Sequence, residues 1–323
     1  MQISRFRYLL LKNLSSNSFL LTKLLFVYFF LLSLKNGIFL KRNKNKIYLT
    51  KKNKTIIIAA SDISDFGATG IVVRDYNNFF NSIVSCDNII DFSIPKYHEM
   101  TNGRKYFFHD ICEPLTTTSI YIEMAKLRGQ GEVVLDLGAY CGTQTVDFSF
   151  AVGKLGKVIA FEPDDITFSS LEKNIALGTY GNIQIHKMAV YSYDGVIEFK
   201  TTGGMASSVI GNVEQSQQEG MHRKKLSSKE VKCITLDSIA KMHNLERCDF
   251  VKMDIEGSEL DVLKSSIPFI KKYTPSFVIE PHKINGLMNT EEIIEFFQEI
   301  NYSCTRLKQG DQSYQPLLYA SPN

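Results

Sequence analysis

No aspartate or glutamate occurs before Asp62, although twelve lysines and arginines fall within the same 61 residues. The formal charge of +3 therefore hides an asymmetry, because the rest of the chain carries 25 bases against 34 acids. The six cysteines lie far apart, with no C-x-x-C pair and no Cys/His cluster at zinc-ligand spacing. That excludes a zinc ribbon and a thioredoxin-type redox motif, and reads as reduced thiols in a cytosolic domain. No G-x-G-x-x-G turn is present, which argues against a nicotinamide-dependent oxidoreductase. Repeats and low-complexity tracts are absent as well. What remains is 323 residues of ordinary globular composition, 44% hydrophobic and 22% charged, enough for one large α/β domain with an extension.

The basic arm, residues 1–61, contains an apolar segment from Phe19 to Leu34 broken only by Thr22, Lys23 and Ser33. A bilayer span takes roughly 20 apolar residues, so the segment falls short unless Lys23 and Lys35 snorkel. No small-x-small cleavage pattern follows it, which disfavours a secretory signal. Two readings stand: a helix buried in the globular fold, or a membrane-associating helix. The polybasic stretch from Lys41 to Lys54 favours an anionic membrane surface as the partner of residues 1–54. If the helix inserts, eight basic residues follow between Lys35 and Lys54 against four before or within it, which keeps the catalytic part cytosolic. Nucleic acid ranks lower, because the charges are not interleaved with stacking aromatics.

From Ile47 to about Thr118 the sequence reads as short strands and turns, with Thr55 to Ala59 the clearest strand and Asp62 to Gly70 a loop. Residues 62–118 form a cap or substrate region, and residues 119–323 the main domain, entered by a short helix over Ser119 to Leu127. Strands are expected at Glu132–Leu137, Lys157–Glu162, Ile183–Met188, Phe250–Asp254 and Ser276–Glu280. Helices are expected at Thr143–Val152, Thr167–Leu177, Glu259–Ser266 and Glu291–Ile300. Strand and helix in turn predict a mostly parallel, doubly wound sheet covered on both faces. A polar insertion from Thr201 to Lys229 interrupts the alternation, and such loops past strand ends are where α/β domains place substrate contacts.

Two motifs carry chemistry. The first is Leu135-Asp136-Leu137-Gly138-Ala139-Tyr140-Cys141-Gly142, an apolar strand breaking into a small-residue turn, followed by Phe161-Glu162-Pro163. Gly138 and Gly142 let a ligand lie directly against the backbone, and Glu162, ending the next strand, has the position of an acid that accepts both hydroxyls of a ribose. Cys141 reads as an inert thiol packing the turn, since no base adjoins it.

The second motif is Val251-Lys252-Met253-Asp254-Ile255-Glu256-Gly257-Ser258-Glu259. Carboxylates and a lysine at the end of a buried strand are costly unless they pair with ligands or one another. A helix N-terminus accounts for Glu256 and Glu259 by dipole complementarity, but not for Lys252 and Asp254.

These elements, with Thr235-Leu236-Asp237-Ser238 between them, resemble the FkbM-type S-adenosylmethionine-dependent methyltransferases over roughly residues 95 to 305. The resemblance implies a Rossmann-like class I methyltransferase fold and S-adenosyl-L-methionine as cofactor. It places Asp136, Gly138, Ala139, Tyr140 and Gly142 around the methionine moiety, and Glu162 with Pro163 at the ribose. It departs at Tyr140, where the family usually has asparagine. The implied activity is O-methylation, often of sugar hydroxyls in glycans, glycolipids or secondary metabolites.

The sulfonium is already activated, so the protein must mainly align an acceptor oxygen and help remove its proton. Lys252, Asp254, Glu256 and His282 are the candidate catalytic residues, with His282 a base because its ordinary pKa lies near neutrality. Alternatively Asp254, Glu280 and His282 hold a divalent metal. A non-catalytic cofactor-binding or scaffold protein of the same fold is the competing reading.

Overall fold

The computed structural model describes residues 18–60, 63–111, 113–116, 120–201, 208–209, 227–284, 287–307 and 317–323. The chain separates into two compact units with a boundary at residues 115 and 116.

The first unit opens with helix α1 (Ser18–Lys35), followed by strands β1 (Phe39–Asn43), β2 (Lys46–Lys51) and β3 (Lys54–Ala59), helix α2 (Ile63–Asn78), and strands β4 (Ile89–Phe92), β5 (Lys96–Glu99) and β6 (Lys105–Phe108). Strands β1 to β3 form an antiparallel meander, and β4 joins β3 in parallel with Ile56 opposite Ile90. That pairing joins residues on either side of the expected boundary at 61/62, so the arm and the region after it share one sheet. Asp62 lies outside the described residues, and where a loop is expected from Asp62 to Gly70 the segment from Ile63 onward is helical. Its glycines read as breakers, yet Gly70 serves packing: a Cβ there would lie 2.9 Å from the ring of Phe29 on α1. Close approach of two helices outweighs the helix propensity lost at a glycine, about 1 kcal/mol.

Helix α1 buries Phe29 and Ser33 and exposes Leu24, Val27, Leu31 and Leu34. Among the described residues no helix is long and apolar enough to cross a membrane. One face of this helix is buried, as in the globular reading.

The second unit contains α3 (Ile120–Ala125), β7 (Val133–Leu137), α4 (Thr143–Val152), β8 (Lys157–Phe161), α5 (Asp165–Ala176), β9 (Ile183–His186), β10 (Ala189–Val190), β11 (Gly195–Thr201), β12 (Ser208–Val209), β13 (Ser227–Ile234), α6 (Leu236–Met242), β14 (Phe250–Met253), α7 (Glu259–Ser265), α8 (Ile267–Tyr273), β15 (Ser276–Ile279), β16 (Lys283–Ile284), β17 (Leu287–Met288), α9 (Thr290–Glu299), β18 (Tyr302–Leu307) and β19 (Leu317–Pro322). Its main sheet has the order β18-β19-β15-β14-β7-β8-β9. Every neighbour pair is parallel except the two that β19 makes, so β19 alone runs against the other six. The fold is α/β and doubly wound, as expected.

Period-two alternation on fully buried strands divides the core. Leu135, Leu137, Val251, Met253, Phe277 and Ile279 pack with Leu236, Val262, Phe269 and Phe297 from α6 to α9. Val134, Val158, Phe250 and Val278 face the other way, toward Tyr121 of α3 and Phe148 and Val152 of α4. Asp136 and Lys252 share that second face on one rung of the sheet. Strands β11 and β13, which bracket the polar insertion, pair antiparallel from Gly195 opposite Cys233 to Thr201 opposite Ser227. Most of the insertion itself lies outside the described residues. The described cysteines form no disulfide.

Candidate active site

The chain runs outward from β7 to β8 and β9, then returns to place β14 on the opposite side of β7. The crevice between the carboxyl ends of β7 and β14 is thus a topological switch point, where open α/β sheets bind ligands. Gly138 sits at this point with φ of 79°, in the left-handed region that favours glycine. The space beside it is filled by backbone: a Cβ would lie 1.8 Å from the carbonyl oxygen of Asp254. The N–H groups of Gly138 and Ala139 both donate to the Phe161 carbonyl, at 3.0 and 2.9 Å, which fastens the bend to the end of β8. Gly142, with φ of 85°, caps the start of α4.

Glu162 reaches back toward this bend. One oxygen accepts from the Tyr140 N–H at 2.9 Å and the other from the Asp164 N–H at 2.9 Å. The Thr167 side chain also bonds this carboxylate, whose two oxygens offer four acceptor positions in all. Burial pushes the acid up to about 7, against the pull of these two N–H groups. Tyr140 adopts φ of 52°, a conformation that asparagine tolerates better than tyrosine. Pro163 follows, and its carbonyl accepts from the Lys229 ammonium at 3.4 Å. Lys229 also pairs with Asp165, and Thr201 donates to Asp164. Both roots of the polar insertion are thereby fixed to the segment that carries Glu162.

Asp136 lies beneath the bend, fully buried. One oxygen accepts from the Thr145 hydroxyl at 2.6 Å and the other lies 3.5 Å from the Lys252 ammonium. Lys252 is 2% exposed and donates to the Gly138 carbonyl, with Asp254 at 3.6 Å. Burial alone would lower its pKa, but Asp136 and Asp254 more than offset this and hold it raised. It remains a cation, which suits it to clamp the bend and neutralise two acids rather than to accept a proton.

The remaining candidates meet where β14 and β15 end. His282 is buried, with Nδ1 2.8 Å from Glu259, while Nε2 faces Asp254 at 3.7 Å and Glu256 at 3.5 Å. Glu259 is completely buried and accepts from the Gly257 N–H at 3.0 Å and the Asn289 amide at 3.4 Å. Burial would raise its pKa, but His282 and the Gly257 N–H hold it lowered, so it is ionised and Nδ1 donates to it.

The environment of His282 weighs against a base that is neutral near pH 7. Burial opposes its charge, yet Glu256, Glu259 and Asp254 hold its pKa well above the ordinary value, so the ring keeps its proton. Burial pushes Glu256 up to about 8 and Glu280 up to about 7. Glu280 lies 3.5 Å from the Tyr121 hydroxyl.

Among the described residues, the three whose ligand atoms converge closely enough to hold a metal are Asp254, Glu256 and His282, all within 4.8 Å of one another. The metal set expected from the sequence is corrected by one member: Glu256 converges where Glu280 was placed, because φ of 54° at Glu256 turns the chain back toward His282. Sequence reasoning missed Glu259, reading it only as a helix-start acid. It missed Thr145 and Tyr121 altogether, because no spacing rule links them to the site.

Residues 136–304, just over half of the chain, match the model of the family described as Methyltransferase FkbM domain. A curated relative, Methyltransferase 1 of Beauveria bassiana (strain ARSEF 2860), is 25% identical over 119 residues, which cover 33% of this chain and 47% of that protein. The chain thus spans about half the length of the curated relative it matches. Among solved structures, methyltransferase FkbM from Methylobacillus flagellatus KT aligns with a TM-score of 0.40 at 19% identity, over 64% of this chain and 51% of that one. A SAM-dependent methyltransferase from Aquifex aeolicus aligns with a TM-score of 0.35 at 13% identity, over 62% and 87%.

Proposed function

Since the chain belongs to the FkbM family of S-adenosylmethionine-dependent methyltransferases, we propose that it transfers a methyl group from S-adenosyl-L-methionine to a hydroxyl oxygen, with a sugar of a glycan, glycolipid or secondary metabolite as acceptor. One observation carries the cofactor half: Glu162 turns its carboxylate to the Gly138 bend, held there by the Tyr140 and Asp164 N–H groups. A ribose laid against the bend presents its two hydroxyls there. The sulfonium supplies an activated methyl group. The chain's own residues then hold the acceptor oxygen in line with it and take up the hydroxyl proton, and the carboxylates of Asp254 and Glu280 at the same sheet edge provide acceptors for that proton. The site is acidic, as suits a polyhydroxyl acceptor that donates hydrogen bonds.

Calorimetry tests the cofactor half. Hydrogen bonds to a charged group contribute about 1.5 to 3 kcal/mol each, so Glu162→Ala should weaken S-adenosylmethionine binding by about 100-fold. Unchanged affinity would remove the reading. Two hydroxyl donors need the ionised form, and the free acid sits near 7. Affinity should therefore rise as pH increases through 7 and level off above it, and Glu162→Gln should flatten that slope. Incubating cell-derived glycans with protein and cofactor, with mass spectrometry for a methyl-sized gain, identifies the acceptor.

We also propose that α1 rests on an anionic membrane surface. Its exposed Leu24, Val27, Leu31 and Leu34 recur at helical spacing along one face, and Lys35, Lys41, Arg42, Lys44 and Lys52 are exposed nearby in the sequence. Exposed apolar side chains with basic neighbours suit adsorption to an anionic surface, the bases adding electrostatic attraction to apolar burial. Val27→Asp with Leu31→Asp should abolish co-sedimentation with phosphatidylserine vesicles. Equal sedimentation of that variant would dispose of the proposal.

A further inference from the structure

We infer that Asp254, Glu256 and His282 form a binding site for one divalent cation of the manganese class, placed to receive the acceptor hydroxyl. The inference draws on the methyltransferase reading only for what the cation would do there. Three observations carry the site itself.

The first is convergence: the His282 Nε2 lies 3.5 Å from one Glu256 oxygen and 3.7 Å from one Asp254 oxygen. A cation with bonds of about 2.1 Å needs neighbouring ligands about 3 Å apart. The two carboxylate oxygens have to close on Nε2 by only about half an ångström, and all three atoms already lie within 4.8 Å of one another.

The second is the aim of the imidazole. The ring is 7% exposed, its Nδ1 is committed to Glu259, and among the described residues Nε2 makes no hydrogen bond. Nε2 points between two carboxylates at distances too long for good hydrogen bonds and suited to a shared ligand. The third is the support behind it. Glu259, fully buried and held by Gly257 and Asn289, orients the ring from its far side. A carboxylate behind a metal-ligating histidine fixes its tautomer and raises its basicity, and removing such support typically weakens metal affinity 10- to 100-fold.

The donor set narrows the ion. Two carboxylates suit hard cations and an imidazole suits transition ions, so an N,O,O set fits Mn2+ better than Ca2+. Three protein ligands leave coordination positions open for the acceptor. Binding displaces the proton from Nε2, and a hydroxyl bound to the cation is more acidic than one in water. The hydroxyl proton then passes to a carboxylate as the oxygen–methyl bond forms and the sulfur–methyl bond breaks, leaving a neutral thioether.

The probe is Mn2+ itself, titrated into the full chain and followed by the electron paramagnetic resonance signal of the free ion. One equivalent should bind. Asp254→Asn and His282→Gln should each lose at least 30-fold in affinity, Glu259→Gln about 10-fold, and Glu280→Gln less than 3-fold. Cofactor calorimetry on the same variants should show binding within 3-fold of the parent protein, which confirms folding and separates this inference from the methyltransferase reading. No bound Mn2+ at millimolar concentration, or binding indifferent to Asp254→Asn and His282→Gln, would overturn the site. In that case the protonated imidazole alone balances the carboxylates. Loss of cofactor binding with Mn2+ binding intact would instead count against the methyltransferase reading.

Discussion

Replacing Gly138 by alanine should unfold the second unit or lower its stability by about 4 kcal/mol or more, in the range reserved for severe backbone conflict. The added Cβ would lie 1.8 Å from the Asp254 carbonyl oxygen and 2.9 Å from its carbon. Both are backbone atoms, so no rotamer change relieves the clash. The positive φ adds a further penalty of about 1 kcal/mol for any side chain. Relief requires β7 and β14 to separate, which would sacrifice the bond from the Asp254 N–H to the Leu137 carbonyl at 3.1 Å. Gly142→Ala offers the comparison. Its Cβ would meet the terminal Cδ1 of Leu171 at 2.4 Å, and a leucine end can move. Denaturant unfolding should rank Gly138→Ala far below Gly142→Ala, and a Gly138→Ala protein within about 1 kcal/mol of the parent would refute the account.

Lys252→Met should cost about 3 to 5 kcal/mol, the typical penalty for removing one partner of a buried ion pair. The methionine fits the space but leaves Asp136, completely buried, with the Thr145 hydroxyl and no cation. It also removes the donor to the Gly138 carbonyl. Adding Asp136→Asn to Lys252→Met should recover at least 1 kcal/mol, because the uncompensated charge is then gone. Additive losses in urea unfolding would show that the two side chains do not act as a pair. Cofactor affinity should fall in the single variant, since the bend loses its clamp.

The alternation of strands and helices in the second unit was readable because its strands are continuously apolar and its helices begin at recognisable turns. Expected and observed limits of β7, β8, β14 and β15 differ by one residue at most. The N-terminal unit was harder. Gly67 and Gly70 have the look of a loop until Phe29, 41 positions away in sequence from Gly70, is known to need the room.

At the site, spacing revealed which residues gather but not what each does. Lys252 finds the Gly138 carbonyl because strand register puts it opposite Asp136, and register is invisible in a linear motif. His282 looks like a neutral base when read alone. Only the fold shows that Glu259 meets its Nδ1 and that Glu256, Glu259 and Asp254 raise its pKa. Tyr140 stands where the family usually has asparagine, and its left-handed backbone gives the physical reason asparagine suits that place.

Thr201 and Lys229 form two staples, and their effect is modular. Because each end of the intervening 202–226 segment is tied down on Asp164, Pro163 and Asp165, residues can be gained, lost or exchanged between the staples without pulling on the acid next door. The acid's seat at the end of β8 is thereby insulated from changes in the length or composition of the strip between the staples.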